Sequence, residues 1–394
     1  MKLLFNKGPP KIGIEWELLL VDKDSFELSN SIHSLLDEIG ENSRISLEAF
    51  QSCVEIKTPP VKNTFDAEAE LLSSIEILAP YCEKLGIRLC SLAVHPFNLS
   101  PGKTTLQKRY QDFEQEYPFI TRHHLSCATQ IHVSMSSPDE AIRVMNRLRN
   151  YLPLFAALSA SSPYWHGERT GHFSFRQHLT RAAQNSGIPP FFKSWEEFES
   201  YYKSSVKAGI ISSTKDIHWD IRPRPDLGTL EFRIMDAMPR ASENLALCSF
   251  AFCLMTLLKE DNPKIRTIDD VPSWALRDNL FYASHLGLEA SFIRNNGDLI
   301  LLRDLAKEVA EAVLLVAVKI GEEERFQKVK EMINEPPYVR MMKYSSLKEL
   351  VADACDELLT STDEGLSPQL VELHRKGYFQ KTRPPHSSNH RDAF

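Results

Sequence analysis

Two glutamates stand two residues apart in the stretch PPKIGIEWELLLVD, residues 9–22. Ile12, Ile14, Trp16 and Leu18 alternate with Gly13, Glu15 and Glu17, so the stretch reads as a strand with one apolar face. Side chains at i and i+2 of a strand share a face, which puts the two carboxylates about 7 Å apart. Such a pair needs a counter-charge. Similar polar faces recur downstream. Gln130, His132 and Ser134 alternate with Ile131 and Val133, and Glu231 and Arg233 alternate with Leu230, Phe232 and Ile234. Asp220, Arg222 and Arg224 share a third face opposite Trp219 and Ile221. Glu48 and Glu55 belong to one further segment but at opposite parity, so either a bulge brings them together or only one joins the set.

For any one of these strands, a solvated face with ordinary salt bridges is the simpler reading. The apolar flanks argue against it, because carboxylates buried in a sheet need a cationic partner or a metal. Clustered carboxylate oxygens suit the hard divalent cations Mg²⁺ or Mn²⁺, which bridge phosphates. Arginines beside them suit phosphate or a substrate carboxylate. The combination predicts a nucleotide-dependent transfer site.

The elements that would position these groups follow from periodicity. Strands are predicted over 11–21, about 46–58 (stopped by Pro59-Pro60), 87–94 and 125–135, with a hairpin over 216–236 turning at PDLG. Helices are predicted over 64–86, with Thr64 as N-cap and Gly86 as C-cap, and over 138–160 after Ser137-Pro138. Residues 161–213 read as an aromatic loop, and 240–376 as helical. The fold class is therefore α+β, an antiparallel sheet of about six strands with helices packed on one face. A single domain over 1–380 is expected: a sheet-forming part at 11–240, a helical part at 240–376, and a polar tail at 381–394.

The chain of 394 residues has a formal charge of −7, which argues against nucleic-acid and anionic-membrane partners. Seven scattered cysteines without C-x-x-C spacing predict reduced thiols. The start MKLLFNKGPP is too short and too quickly broken by proline for a signal peptide to be expected, and no apolar run is expected to reach membrane-spanning length, so a cytoplasmic location is expected. The apolar period in 299–320 predicts core packing or contact with a second copy in a homodimer.

The ordered stretches GIEWELLLVD, LEAFQSCVEIKTPP, TQIHVSM, LSASSPYWHGERTGHFSFRQ and IHWDIRPRPDLGTLEFRIMD resemble the carboxylate–amine ligase family of the YbdK type, related to glutamate–cysteine ligase. The resemblance implies a sheet of the glutamine synthetase/glutamate–cysteine ligase kind that holds ATP and Mg²⁺ on its concave face. It implies phosphorylation of a carboxylate by ATP, then attack by an amine on the acyl phosphate. Residue by residue, it implies Glu15, Glu17, Glu48, Glu55 and Glu231 as metal ligands, His132 at the γ-phosphate and Arg233 at the transferring phosphoryl. Arg176, Arg222 and Gln130 are expected to bind substrate or ATP. Gln130 stands where related sequences read histidine, and Arg169 where an acidic residue is expected.

The segment around Gly102-Lys103-Thr104 lacks the first glycine of a phosphate-binding loop, and His123, His124 and His132 have no zinc-ligand spacing. Two readings stay open. One is an ATP-dependent ligase for small-molecule carboxylates and amines, glutamate–cysteine ligase activity among them. The other is a non-catalytic nucleotide- or metabolite-binding protein on the same fold.

Overall fold

A computed structural model describes residues 2–260, 268 and 270–358. The long first strand, β1 (Ile12–Asp22), is the axis of the molecule. Its apolar face is buried at Ile12, Ile14, Trp16 and Leu18, while Gly13, Glu15 and Glu17 stay partly open, as the alternation predicts. The remaining strands of the sheet are β2 (Ile45–Leu47), β3 (Cys53–Lys57), β4 (Ile87–Cys90), β5 (Thr129–Ser134), β6 (Ile221–Arg224) and β7 (Thr229–Phe232). Their order is β6–β7–β5–β1–β3–β2, every pairing is antiparallel, and β4 pairs with Leu19–Asp22 of β1.

The apolar face is covered by α1 (Thr64–Leu85), α3 (Pro138–Leu148) and α5 (Ala241–Lys259). Between α1 and α3 runs α2 (Lys108–Glu116), whose residues are all at least partly exposed. The core continues without a break from these helices into the C-terminal helices. One joint is polar: Glu322 accepts from the Thr64 backbone N–H at 2.6 Å and from its hydroxyl at 2.5 Å. That contact occupies two donors at the start of α1, where helix N–H groups lack intrahelical partners.

Several elements differ from their sequence expectation. The predicted strand over 46–58 is two strands, β2 and β3, that fold back on each other across 48–52. The N-cap of α1 is Asn63, which accepts from the Asp66 N–H, rather than Thr64; Gly86 closes the helix in the left-handed region. The predicted helix over 138–160 is broken by a 3₁₀ turn at Arg149–Tyr151, just before Pro153. The loop over 161–213 contains a helix, α4 (Trp195–Lys207), capped by Ser194. The helical third contains a β-ribbon, Ser291–Ile293 with Leu299–Leu301. The expected tail and the end of the helical part, from 359, lie outside the described residues.

All seven cysteines are free and buried. Among the described residues one helix, α5, does reach membrane-spanning length and hydropathy, contrary to expectation, and 89% of its apolar window is buried within the fold.

Candidate functional site

Strand register alone brings the polar residues together, because directly opposed residues of antiparallel strands share a face. One row across the sheet reads Arg222, Glu231, His132, Gly13. The next reads Gln130, Glu15, Lys57, and the third pairs Glu17 with Glu55 and Glu55 with Ser46. Adjacent rows are about 7 Å apart. Except for Glu231 and Ser46, these residues line a cavity of about 1650 Å³, together with Arg176, Arg233, Tyr110, His124 and His218. At Gly13 an added Cβ would meet only the His132 Cβ, at 3.8 Å, so the glycine leaves open space beside the imidazole.

The parity conflict between Glu48 and Glu55 is resolved by the reversal. Glu55 lies on β3 and Glu48 on the turn before it, and both reach Glu17: ligand oxygens of the three carboxylates lie within 4.8 Å of one another. Glu48 also accepts from the Tyr110 hydroxyl at 3.0 Å, and Glu55 from the Ser46 hydroxyl at 2.9 Å. Lys57 stands 3.4 Å from Glu55. Burial pushes the Glu17 pKa up to about 7; Glu55 adds to the rise, against Arg176 and Arg233. Burial and neighbouring carboxylates raise Glu48, and raise Glu55 well above the usual range. Three carboxylates thus compete for too little positive charge.

A second group holds Glu15, His132 and Glu231. His132 Nε2 is 3.2 Å from Glu15 and 3.9 Å from Glu231, while Nδ1 lies 3.0 Å from the Thr229 hydroxyl. Burial would raise the Glu15 pKa, but His132 and Arg233 hold it below the usual range. Glu231 is 0% exposed. It accepts two hydrogen bonds from Arg222, at 2.7 and 3.0 Å, one from Arg224 at 3.3 Å and a short one from Arg233. Burial pulls its pKa upward; Arg222, Arg233 and His132 outweigh it and hold the carboxyl well below the usual range.

The two groups differ as cation sites. Glu17, Glu48 and Glu55 supply oxygen donors with unbalanced negative charge, which fits Mg²⁺ or Mn²⁺. Glu231 is already met by three guanidinium groups, so a cation there would compete with them. Arg222, expected at substrate, spends four of its five donors on Glu231 and the Lys215 and Ile217 carbonyls. It braces Glu231. Arg176 donates to the Ile234 and Arg233 carbonyls, and its buried Nε has no hydrogen-bond partner among the described residues. Arg233 is the most open of these arginines, with 21% of its side chain exposed. Gln130 donates to Glu17 at 2.5 Å and accepts from Arg233.

Arg169 and the rejected phosphate-loop segment at Gly102 take no part in the cluster. Arg169 lies exposed on a short ribbon opposite Tyr164, outside the lining. Gly102 packs against the Phe50 ring, with no helix starting behind it. Tyr110 and His124 are lining residues that no strand pattern marks, whereas His218 shares the parity of Asp220, Arg222 and Arg224 and was not singled out. Burial holds the His124 pKa down at about 4 and that of His218 at about 3, with Arg176 and Arg233 respectively adding to the effect, so both rings are neutral.

The sequence matches the model of glutamate–cysteine ligase family 2 over residues 11–357. The chain belongs to that family. A protein of Trichormus variabilis, provisionally named glutamate–cysteine ligase 2, is 33% identical over 364 residues, covering 90% of this chain and 94% of that one. A protein of Mycolicibacterium vanbaalenii named in the same way is 31% identical over 366 residues, covering 92% and 94%. The fold is similar to that of a crystal structure of glutamate–cysteine ligase from Francisella tularensis in complex with AMP. The TM-score is 0.68 at 15% identity, over 95% of this chain and 93% of that one. A bifunctional glutathione synthetase from Pasteurella multocida gives a TM-score of 0.60 at 15% identity, over 94% of this chain and 53% of that one. The antiparallel sheet is thus of the glutamate–cysteine ligase kind. The enzyme class is that of an ATP-dependent ligase like the enzymes of this family.

Proposed function

We propose that this protein is an ATP- and Mg²⁺-dependent carboxylate–amine ligase that forms an amide through an acyl phosphate. Glutamate and cysteine are the first carboxylate and amine to try. The observation that carries the reading is the Glu17–Glu48–Glu55 group, set on the same sheet face as Arg233 and His132. A purely structural cluster would have its charges paired internally, as Glu231 does; this one is left negative.

Glu17, Glu48 and Glu55 would hold Mg²⁺, with Glu15 beside them, and the ion would supply charge neutralisation for the triphosphate. Arg233 then meets the charge that spreads over the equatorial oxygens of the transferring phosphoryl. His132, held by Thr229, stands at the γ-phosphate end. Gly13 leaves room there. A substrate carboxylate oxygen bonds to the γ-phosphorus as the bond to the β–γ bridging oxygen breaks, releasing ADP. The amine nitrogen then bonds to the acyl carbon, phosphate leaves, and the nitrogen gives up a proton. Glu231 anchors Arg233 from beneath.

ADP release, measured with Mg²⁺ across a panel of amino acids and amines, tests the proposal. ADP formed only when both a carboxylate and an amine are present supports it. ATP binding with no ADP release from any pair would return the non-catalytic binding protein.

A further inference from the structure

We infer that Gln130 is a positioning residue that fixes Glu17, a proposed metal ligand, relative to Arg233, the proposed phosphoryl contact. The inference rests on the ligase reading and adds a residue that acts through others. Gln130 is buried near the start of β5, directly opposite Glu15 on β1. Its amide nitrogen donates to Glu17 Oε1 at 2.5 Å, and its amide oxygen accepts from Arg233 Nη1. A guanidinium only donates and a carboxylate only accepts, so a single amide orientation satisfies both.

The two neighbours are otherwise held from opposite ends. Glu17 Oε2 accepts from the Ala128 N–H at 2.7 Å, and Arg233 Nη1 also meets Glu231. Gln130 closes the gap between these anchors, so that carboxylate and guanidinium keep one separation. A neutral side chain with both a donor and an acceptor is required there. Glutamate would set yet another carboxylate against Glu17, beside Glu48 and Glu55, and lysine would offer Arg233 no acceptor. Groups that hold a ligand from behind tune metal affinity by about 10- to 100-fold.

The test uses Mn²⁺ alone, titrated by calorimetry into the whole protein and into Gln130→Met, beside turnover with ATP and the active substrate pair. Mn²⁺ affinity is expected to fall about tenfold. kcat is expected to fall about 10- to 100-fold, with KM for ATP within about threefold, since the interaction matters at the transition state. In a cycle with Arg233→Met, the double variant should turn over no more slowly than Arg233→Met alone, because both changes remove one function. If Gln130→Met does not fold, Gln130→Asn carries the same comparison, being one methylene too short to reach both partners. Mn²⁺ affinity within twofold of wild type, or kcat effects that multiply in the cycle, would overturn the inference. Wild-type protein that binds no Mn²⁺ would overturn the metal reading and this one with it. Wild-type protein that binds Mn²⁺ but releases no ADP would sink the ligase reading alone, and the Mn²⁺ comparison would still decide the role of Gln130.

Discussion

Glu17 and Glu55 face each other directly across the β1–β3 ladder. Like charges in that relationship destabilise a sheet, and Glu48 brings a third carboxylate to the same point. In the proposed ligase these carboxylates would hold Mg²⁺ or Mn²⁺. Mg²⁺ or Mn²⁺ should therefore raise the melting temperature, and Glu55→Gln should abolish that rise while leaving a folded protein. A wild-type melting temperature indifferent to millimolar Mg²⁺ and to EDTA would contradict this.

Nucleotide affinity should depend on the same cation. A triphosphate brought beside these carboxylates without a metal meets strong repulsion. Calorimetry with ATP in Mg²⁺ and in EDTA measures the difference, and equal affinities would rule the arrangement out as a nucleotide site.

Glu17 also gives a pH prediction. Its pKa is about 7 in the folded protein against 4.5 for the ordinary carboxylate. Folding therefore favours the protonated form, and stability falls as pH rises from about 4.5 through about 7. The full cost at pH 8 is at most about 3 kcal/mol, reduced by water at the cavity mouth. Metal-free Glu17→Gln should thus be more stable than wild type at pH 8, and the gap should close by pH 5. Comparing the two proteins at each pH cancels the histidines His95, His124, His178 and His218, whose lowered pKa values act in the opposite sense. A gap of constant size would refute the assignment.

The face shared by Glu15, Gln130, His132, Glu231 and Arg233 was legible because a strand's period of two is written directly in its residues. The β2–β3 reversal was not. The run SLEAFQSCVEIKT contains no glycine, proline or asparagine, so nothing local marks a turn, and Glu48 seemed out of phase. Helix α4 did carry a signal, Ser194 three residues before Glu197, but it sits among aromatic residues that read as loop. Tyr110 could not be found at all. Its helix is solvated in sequence, and only tertiary packing swings the hydroxyl to Glu48. Alternation likewise places Glu231 on this face but does not say that Arg222, Arg224 and Arg233 reach its carboxylate.

Arg222 should therefore matter to stability more than to binding. Arg222→Met removes a bidentate partner from a fully buried carboxylate, a loss of about 3–5 kcal/mol for a buried charge left short of partners. Chemical denaturation reads it, and a loss under about 1 kcal/mol would mean that Arg224 and Arg233 suffice.

Gly13 tests the space beside His132. An alanine Cβ finds only ordinary contact there, so Gly13→Ala should fold and bind ATP nearly as wild type. Gly13→Leu should fold but fill the place proposed for the γ-phosphate, raising KM for ATP tenfold or more, about 1.4 kcal/mol of binding. Unchanged KM in the leucine variant would move the nucleotide elsewhere in the cavity.

Arg233 separates chemistry from charge balance. It meets Glu231 and Gln130 through Nη1 alone, which leaves the rest of its guanidinium toward the cavity, with 21% of the side chain exposed. If Arg233 only neutralised Glu231, lysine would serve, since Arg222 and Arg224 already hold that carboxylate. If it meets the transferring phosphoryl, lysine fails, because a single ammonium cannot hold Glu231 and Gln130 while presenting a planar fork to the equatorial oxygens. Arg233→Lys should then keep the wild-type melting temperature and Mn²⁺ affinity within narrow limits and lose on the order of 10²-fold in kcat, the scale of one lost transition-state donor. Near-normal ADP formation by folded Arg233→Lys would make this arginine a structural partner of Glu231 and leave the transferring charge to Arg176, whose buried Nε has no hydrogen-bond partner among the described residues.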